Sequence, residues 1–419
     1  MAVLNVLFTS VCSIRLNQRM KLLWTRLIKK HWESWKELGK TYFLIIYNLS
    51  CKFFLTIKKL IINLCKNYDE RLFKPYSQIE DRYNPDQNSI VEQRMFTNLS
   101  DVDRDIAKYV KMAMSAVDEH YTAVTKEAGE RVKKHLADGQ QGMNITYRYQ
   151  GSVMTNTHIR GASDIDLLTF TNKFESTEIQ KVREILKEPY QSGYSYSDLA
   201  KLRNFNNSFT SYQGNYLQDL RDLRASNETI MRYWYDECDI HKAKAVHIFN
   251  KDLKRDVDIV TASWLDSVAY VLNSDERYRG VEIYNKKTDS TETPSYPFLA
   301  IDNINTRSSY TKGRLKQMIR FLKNVRTDAD ANIELTSFEI NAICYSIPTE
   351  RYSSMYYLDM VHLLWNYMYN LLNDEQRLLQ LKSVDGTEYV FQKKRDRIAE
   401  LRKLKDEVWR IYQGIGNSK

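Results

Sequence analysis

Cysteine is scarce in this 419-residue chain: Cys12, Cys51, Cys65, Cys238 and Cys344 are five, an odd number, and scattered. That excludes a disulfide framework and fits a reducing cytosol. Glycine (13) and proline (6) are also few, and with 43% hydrophobic residues the chain is mostly folded rather than low-complexity. No uninterrupted apolar run reaches the ~18 residues that a spanning helix needs, so a simple transmembrane segment is excluded. Met1–Ser13 is apolar but lacks the basic lead of a secretory signal. Basic charge is missing from most of the chain as well. The net charge is +9, yet residues 1–66 hold 12 Lys/Arg against Glu33 and Glu37, and the remainder carries 50 basic and 51 acidic residues. No body-wide field for long nucleic acid is present, although a local patch stays open.

The basic N-terminus has its own pattern. On a helix, Trp24, Leu27, Ile28, Trp32 and Trp35 make an apolar stripe, with Lys21, Arg26, Lys29, Lys30 and Lys36 elsewhere. Further on, Asn48, Lys52, Thr56, Lys59 and Asn63 form one narrow polar stripe between Tyr42 and Cys65. Three descriptions fit equally: sequence upstream of a true start at Met95, a helix that packs on the body or a partner, and a membrane-surface helix over residues 21–65. The expected location is cytoplasmic, with peripheral membrane association as the alternative.

Residues 1–82 read as this extension and polar residues 83–100 as a linker. A long helix is expected from Asp101 to about Leu136, with Val102, Ile106, Val110, Met112, Met114 and Val117 on its apolar face. Ile145–Tyr149 and Asp164–Phe170 read as strands, residues 176–187 and 216–236 as helices, and Ala245–Phe249 with Arg255–Val260 as a hairpin. After a loop through Pro294–Arg307, helices are expected at 311–326, 337–346, 353–373 and 393–413. Strands with intervening helices, then a helical run, predict an α+β lobe over 101–310 and a helical lobe over 311–419.

The chemistry concentrates in Y-Q-G-S-V-M-T-N-T-H-I-R-G-A-S-D-I-D-L-L. Period two on a strand puts Asp164 and Asp166 on one face and Ile165 and Leu167 on the other. Two adjacent carboxylates repel unless a cation sits between them, and oxygen ligands suit a hard divalent ion such as Mg²⁺. Gly151-Ser152 suits a tight turn opening a short helix, whose free N–H groups and hydroxyl can hold phosphate. A phosphate cradle with metal carboxylates is the equipment of phosphoryl or nucleotidyl transfer. A third carboxylate is supplied by K-R-D-V-D-I-V. Asp256 and Asp258 share a face, and Asp258 is preferred because Val257 and Ile259 flank it as Ile165 and Leu167 flank Asp166. Lys312, Lys316 and Lys323 line one border of the buried stripe on helix 311–326, where they can either receive a triphosphate or snorkel. Cys238, His241 and His247 lack a convincing fourth ligand and read as ordinary residues rather than a zinc site.

Gly-Ser, a gap, Asp-x-Asp between hydrophobics and a later hydrophobic-Asp-hydrophobic resemble the polymerase-β-type nucleotidyltransferase superfamily. More narrowly, these segments with S-Y-P-F-L-A-I-D-N-I-N are similar to the bacterial CD-NTases, relatives of cyclic GMP–AMP synthase that make cyclic oligonucleotide signals in anti-phage defence. The similarity covers roughly residues 100–419. It implies a polymerase-β-like lobe, a mixed sheet with flanking helices, followed by a helical lobe. It further implies a phosphate-contacting turn at Gly151 and Ser152, and a metal triad of Asp164, Asp166 and Asp258 holding two Mg²⁺ (or Mn²⁺). Lys323 and Ser337 match the family's phosphate-binding Lys and Ser of the second lobe. The partners implied are ATP or other NTP substrates and a cyclic-nucleotide-gated effector, with no long nucleic acid. The activity implied is condensation of NTPs into a cyclic di- or trinucleotide. Modification of an RNA end or a protein hydroxyl, and an idle binding or membrane-associated protein of the same fold, are the alternatives.

Overall fold

The computed structural model describes residues 101–161 and 164–416. The basic N-terminal segment and the linker expected at 83–100 lie outside them. The first helices are α1 (Asp101–Met114) and α2 (Glu119–Gly139). One continuous helix was expected here, and the structure breaks it at Ser115–Asp118 because the two halves serve different cores. Tyr109, Val110, Ala113 and Met114 of α1 join the core of the helical lobe, whereas Ala128, Val132 and Leu136 of α2 pack on the sheet. Asp118 makes the restart, its carboxylate accepting the Tyr121 N–H at 2.7 Å as the N-cap of α2.

Strands β1 (Ile145–Gln150), β2 (Ile165–Thr171) and β3 (Ser176–Thr177) follow, then α3 (Ile179–Lys187), α4 (Tyr196–Ser208) and α5 (Tyr216–Trp234). Helix α4 is not evident from apolar spacing; Ser195 and Asp198 build its capping box. Next come β4 (Cys238–Asp239), β5 (Ala245–Asn250), β6 (Arg255–Asp266), α6 (Val268–Asn273), β7 (Gly280–Asn285) and β8 (Ser290–Thr291). The stretch expected as a loop through Pro294–Arg307 is instead mostly helix α7 (Pro297–Tyr310), with Pro297 at its start, where the missing N–H costs nothing. The chain ends in α8 (Arg314–Asp328), α9 (Ser337–Tyr345), α10 (Tyr357–Leu372), α11 (Glu375–Leu379) and α12 (Arg397–Gly416).

The sheet runs β1-β2-β6-β5-β4, and the long β6 organises it. β2 lies parallel to the first half of β6, while β1 with β2 and β5 with β6 are antiparallel. β7 pairs with the second half of β6. The mixed sheet expected for the first lobe is therefore present. One sheet face is buried under α2 and α5, with Ile165, Leu167, Val246, Ile248, Val257 and Ile259 meeting Val132, Leu136 and Met231. The opposite face alternates with it along the strands. Towards the C-terminal ends of β2 and β6 it is apolar, where Phe170 stacks on Trp264 with ring centroids 3.9 Å apart. Towards their N-terminal ends it carries carboxylates. Among the described residues no helix is long and apolar enough to cross a membrane.

Candidate active site

The register of two parallel strands builds the site. Asp166 on β2 lies directly opposite Asp258 on β6, as Ile165 lies opposite Val257. Asp164 sits exposed one residue before β2 begins. β5 then places His247 opposite Asp258 from the other side. Carboxylate oxygens of Asp164 and Asp258 and a ring nitrogen of His247 lie within 4.8 Å of one another. His247 Nδ1 is 2.8 Å from Asp258 Oδ1, and its Nε2 is 3.2 Å from Asp256 Oδ1. The Lys242 ammonium reaches Asp258 Oδ1 at 3.3 Å. The loop that carries Lys242 is fixed from behind by Arg224, itself buried, whose guanidinium donates to the carbonyls of Ile240, Lys242 and Ala245.

The electrostatics show a site short of positive charge. Burial, reinforced by Asp258 and Asp164, pushes the Asp166 carboxyl up to about 7. Although Asp164 as a whole is exposed, desolvation of its carboxyl, then the charges of Asp256 and Asp258, raises it as well. Stacked carboxylates on one sheet face resist ionising together unless a cation joins them. The donor set is oxygen-rich and convergent, so it fits a hard divalent ion.

Gly151 closes one side. It follows directly on β1, whose last residue Gln150 pairs with Asp166, and it has a left-handed φ of +87°. A Cβ here would lie 2.4 Å from Asp166 Oδ2, so only glycine lets the backbone pass the carboxylate. The short helix expected after Gly-Ser is instead a run of turns: Met154 N–H donates to the Gly151 carbonyl at 3.3 Å and Asn156 N–H to Val153 at 3.2 Å. The chain cannot continue as a helix because it is tied back on itself. The Thr157 N–H and the Thr155 hydroxyl both donate to the Ser152 carbonyl, at 2.9 and 3.1 Å. Ser152 itself is half-buried in the first of these turns.

The helical lobe grips this loop from below. Lys323 on α8 is buried, and its ammonium donates to the Thr157 carbonyl at 3.1 Å. Arg320, one turn earlier, donates to the Asn156 carbonyl at 2.7 Å and to the Met114 carbonyl at the end of α1 at 2.8 Å. Burial, with Arg326 and Arg320 nearby, pulls the Lys323 ammonium down to about 7. Lys323 thus faces backbone, not an open cradle. Lys312 does not share its helix border, because it lies in the turn before α8 with φ +52°. Ser337 is the first residue of α9, half-buried behind the N-cap Thr336.

Lys242 and Arg320, beside the carboxylates and under the Gly-Ser loop, are residues that motif spacing missed, and His247 is one that it singled out only to read as ordinary. For His247 a signal existed: a hairpin that pairs Asn250 with Arg255 must pair His247 with Asp258. Cys238 and His241 do not join it, since among the described residues the metal-capable cluster comprises Asp164, His247 and Asp258.

A mixed sheet with a Gly-Ser turn beside three convergent carboxylates defines a nucleotidyltransferase. Residues 302–413 match the cGAS/DncV-like nucleotidyltransferase C-terminal helical domain. A c-di-GMP synthase of Lachnospiraceae bacterium (strain RUG226) is 52% identical over 339 residues, 81% of this chain and 96% of the relative. The solved structure of a STING-associated CdnE c-di-GMP synthase from Flavobacteriaceae sp. superposes with a TM-score of 0.73 at 31% identity, covering 83% of this chain and 99% of that one. The corresponding enzyme of Capnocytophaga granulosa gives 0.65 at 37% identity, with the same coverage. The chain belongs to the CD-NTases, the cGAS/DncV-like nucleotidyltransferases. It is an enzyme of cyclic dinucleotide synthesis in defence signalling, the narrower case of the cyclic di- or trinucleotide synthesis that the resemblance implied. That membership favours the cyclic-nucleotide reading over the RNA-end or protein modifier and over the idle relative.

Proposed function

We propose that this enzyme joins two GTP molecules into c-di-GMP, and that the product is read by a STING-type effector. The substrate assignment follows the 52% identical relative, a c-di-GMP synthase; the effector follows the two STING-associated relatives. The observation that carries the chemistry is the register of Asp166 against Asp258, with Asp164 beside them. Asp164, Asp166 and Asp258 would hold two Mg²⁺, or Mn²⁺, which supply Lewis-acid stabilisation of the attacking oxygen and the departing pyrophosphate. Asp258, or a water next to it, accepts the proton of the attacking ribose hydroxyl. That oxygen forms a bond to the α-phosphorus of the second nucleotide as the bond to pyrophosphate breaks, and a repeat of the step closes the ring. Gly151 and Ser152 present backbone N–H groups and a hydroxyl to the phosphates. Lys323 acts on the triphosphate through the loop it holds, and Ser337 lies at the start of α9, the helix that follows α8.

The test is incubation with four labelled NTPs and Mg²⁺ followed by phosphatase. Label from GTP alone should end in a phosphatase-resistant product. A resistant product that requires ATP or a pyrimidine nucleotide contradicts the substrate assignment, and no resistant product contradicts cyclisation.

A further inference from the structure

The ring of His247 is wedged between two carboxylates that strand periodicity makes equivalent. Asp256 and Asp258 project from the same face of β6, about 6.6 Å apart along the strand. A carboxylate at a strand end has several staggered side-chain orientations open to it, and two like charges at that spacing push each other outward. Neither effect turns Asp258 towards Asp164 and Asp166. The imidazole faces both acids from the opposite residue of β5, with Nδ1 2.8 Å from Asp258 Oδ1 and Nε2 3.2 Å from Asp256 Oδ1, and the Lys242 ammonium reaches the same Asp258 oxygen at 3.3 Å. Asp256 is the more open of the two, with 41% of its side chain exposed against 20% for Asp258.

We propose that His247 is a positioning residue: an Nδ1–H bond holds Asp258 in the orientation that completes the carboxylate triad, while the other edge of the ring holds Asp256 out of it. This rests on the metal-site reading given above. It also gives a physical reason why two acids that share a face have different roles. The ring acts through Asp258, with Nδ1 against that carboxylate and Nε2 against Asp256.

Two substitutions separate the two edges of the ring. In His247→Asn the side-chain amide nitrogen takes the place of Nδ1, and in His247→Gln that of Nε2. The expected result is that His247→Asn keeps Mn²⁺ affinity, measured calorimetrically with Mn²⁺ alone on the full chain, within about threefold of wild type. It should also keep most of the Mg²⁺-dependent kcat for GTP. His247→Gln should weaken Mn²⁺ binding and lower kcat by at least about tenfold, with KM for GTP little changed. Equal losses in both variants, a better Gln than Asn variant, or no loss in either overturns the proposal. A second readout needs no substitution: nitrogen NMR of ¹⁵N-histidine-labelled wild-type protein in Mg²⁺ should show the proton on Nδ1. A bare Nδ1 overturns the proposal. Asp166→Asn serves as the control. If it leaves Mn²⁺ affinity unchanged, the metal site itself is misplaced, which is a different failure from that of His247.

Discussion

Gly151 and Asp166 show how closely backbone and chemistry are joined here. A carboxylate oxygen of Asp166 stands 2.4 Å from where a Cβ of residue 151 would be, and the left-handed φ adds a second penalty for any other residue. Gly151→Ala should therefore lower kcat by at least about tenfold, because Asp166 must move, and lower stability by about 1–3 kcal/mol. Steady-state GTP turnover and urea unfolding check both; a variant with normal turnover contradicts the contact. The two acids of β6 are separable in the same way. Asp258 is opposite Asp166 and held by His247 and Lys242, whereas Asp256 lies two residues outward. Asp258→Asn should cost far more kcat at saturating Mg²⁺ than Asp256→Asn. A dead Asp256 variant beside a lively Asp258 variant would swap the roles. At this scale the acids were legible, since Asp-x-Asp between hydrophobics states its own strand parity. The choice between Asp256 and Asp258 was weaker, because parity alone treats them alike and only the partner strand distinguishes them.

Helix α8 couples the two lobes. Its Arg320 and Asn324 reach carbonyls at the end of α1, and its Arg320 and Lys323 reach carbonyls of the Gly-Ser loop. A buried ammonium held near neutrality carries a pH signature. Lys323 has its folded-state pKa lowered to about 7, so between there and its ordinary value near 10.4 the unfolded chain binds the extra proton. Stability from this group therefore rises with pH across that window. Lys323→Met should remove the rise while keeping the volume, so the wild-type protein gains on the variant from pH 7 to pH 9 in urea unfolding. Parallel profiles contradict a depressed Lys323. The same variant should raise KM for GTP, since the Thr157 carbonyl loses its donor and the loop one of its two anchors. Elements with strong periodicity, such as β2, α5 and α12, could be read directly. The break between α1 and α2 could not: one helical wheel fits both halves, and only the presence of two separate cores separates them. Helix α7 was hidden for a different reason, because Pro297 looks like a breaker when it stands at a helix start.

On the scale of the whole molecule, every proposed site residue lies within the described residues 101–161 and 164–416. A chain beginning at Met95 should therefore be soluble, melt near the full-length temperature and turn over GTP at a similar rate. Aggregation or loss of activity would mean that the basic N-terminal segment packs on the body, at ~25 cal/mol for each Å² of apolar area uncovered. Retained activity, with anionic liposomes bound by the full-length protein alone, would make it a membrane-surface element. The central claim is that metal-dependent nucleotidyl transfer occurs at the carboxylates where β2 meets β6. Its most direct test is Mg²⁺-dependent GTP turnover by the Asp164→Ala/Asp166→Ala double variant, with thermal unfolding measured on the same sample. The account predicts a folded protein whose turnover falls by a thousandfold or more, about 4 kcal/mol of transition-state stabilisation. Turnover within tenfold of wild type in a folded double variant would contradict it.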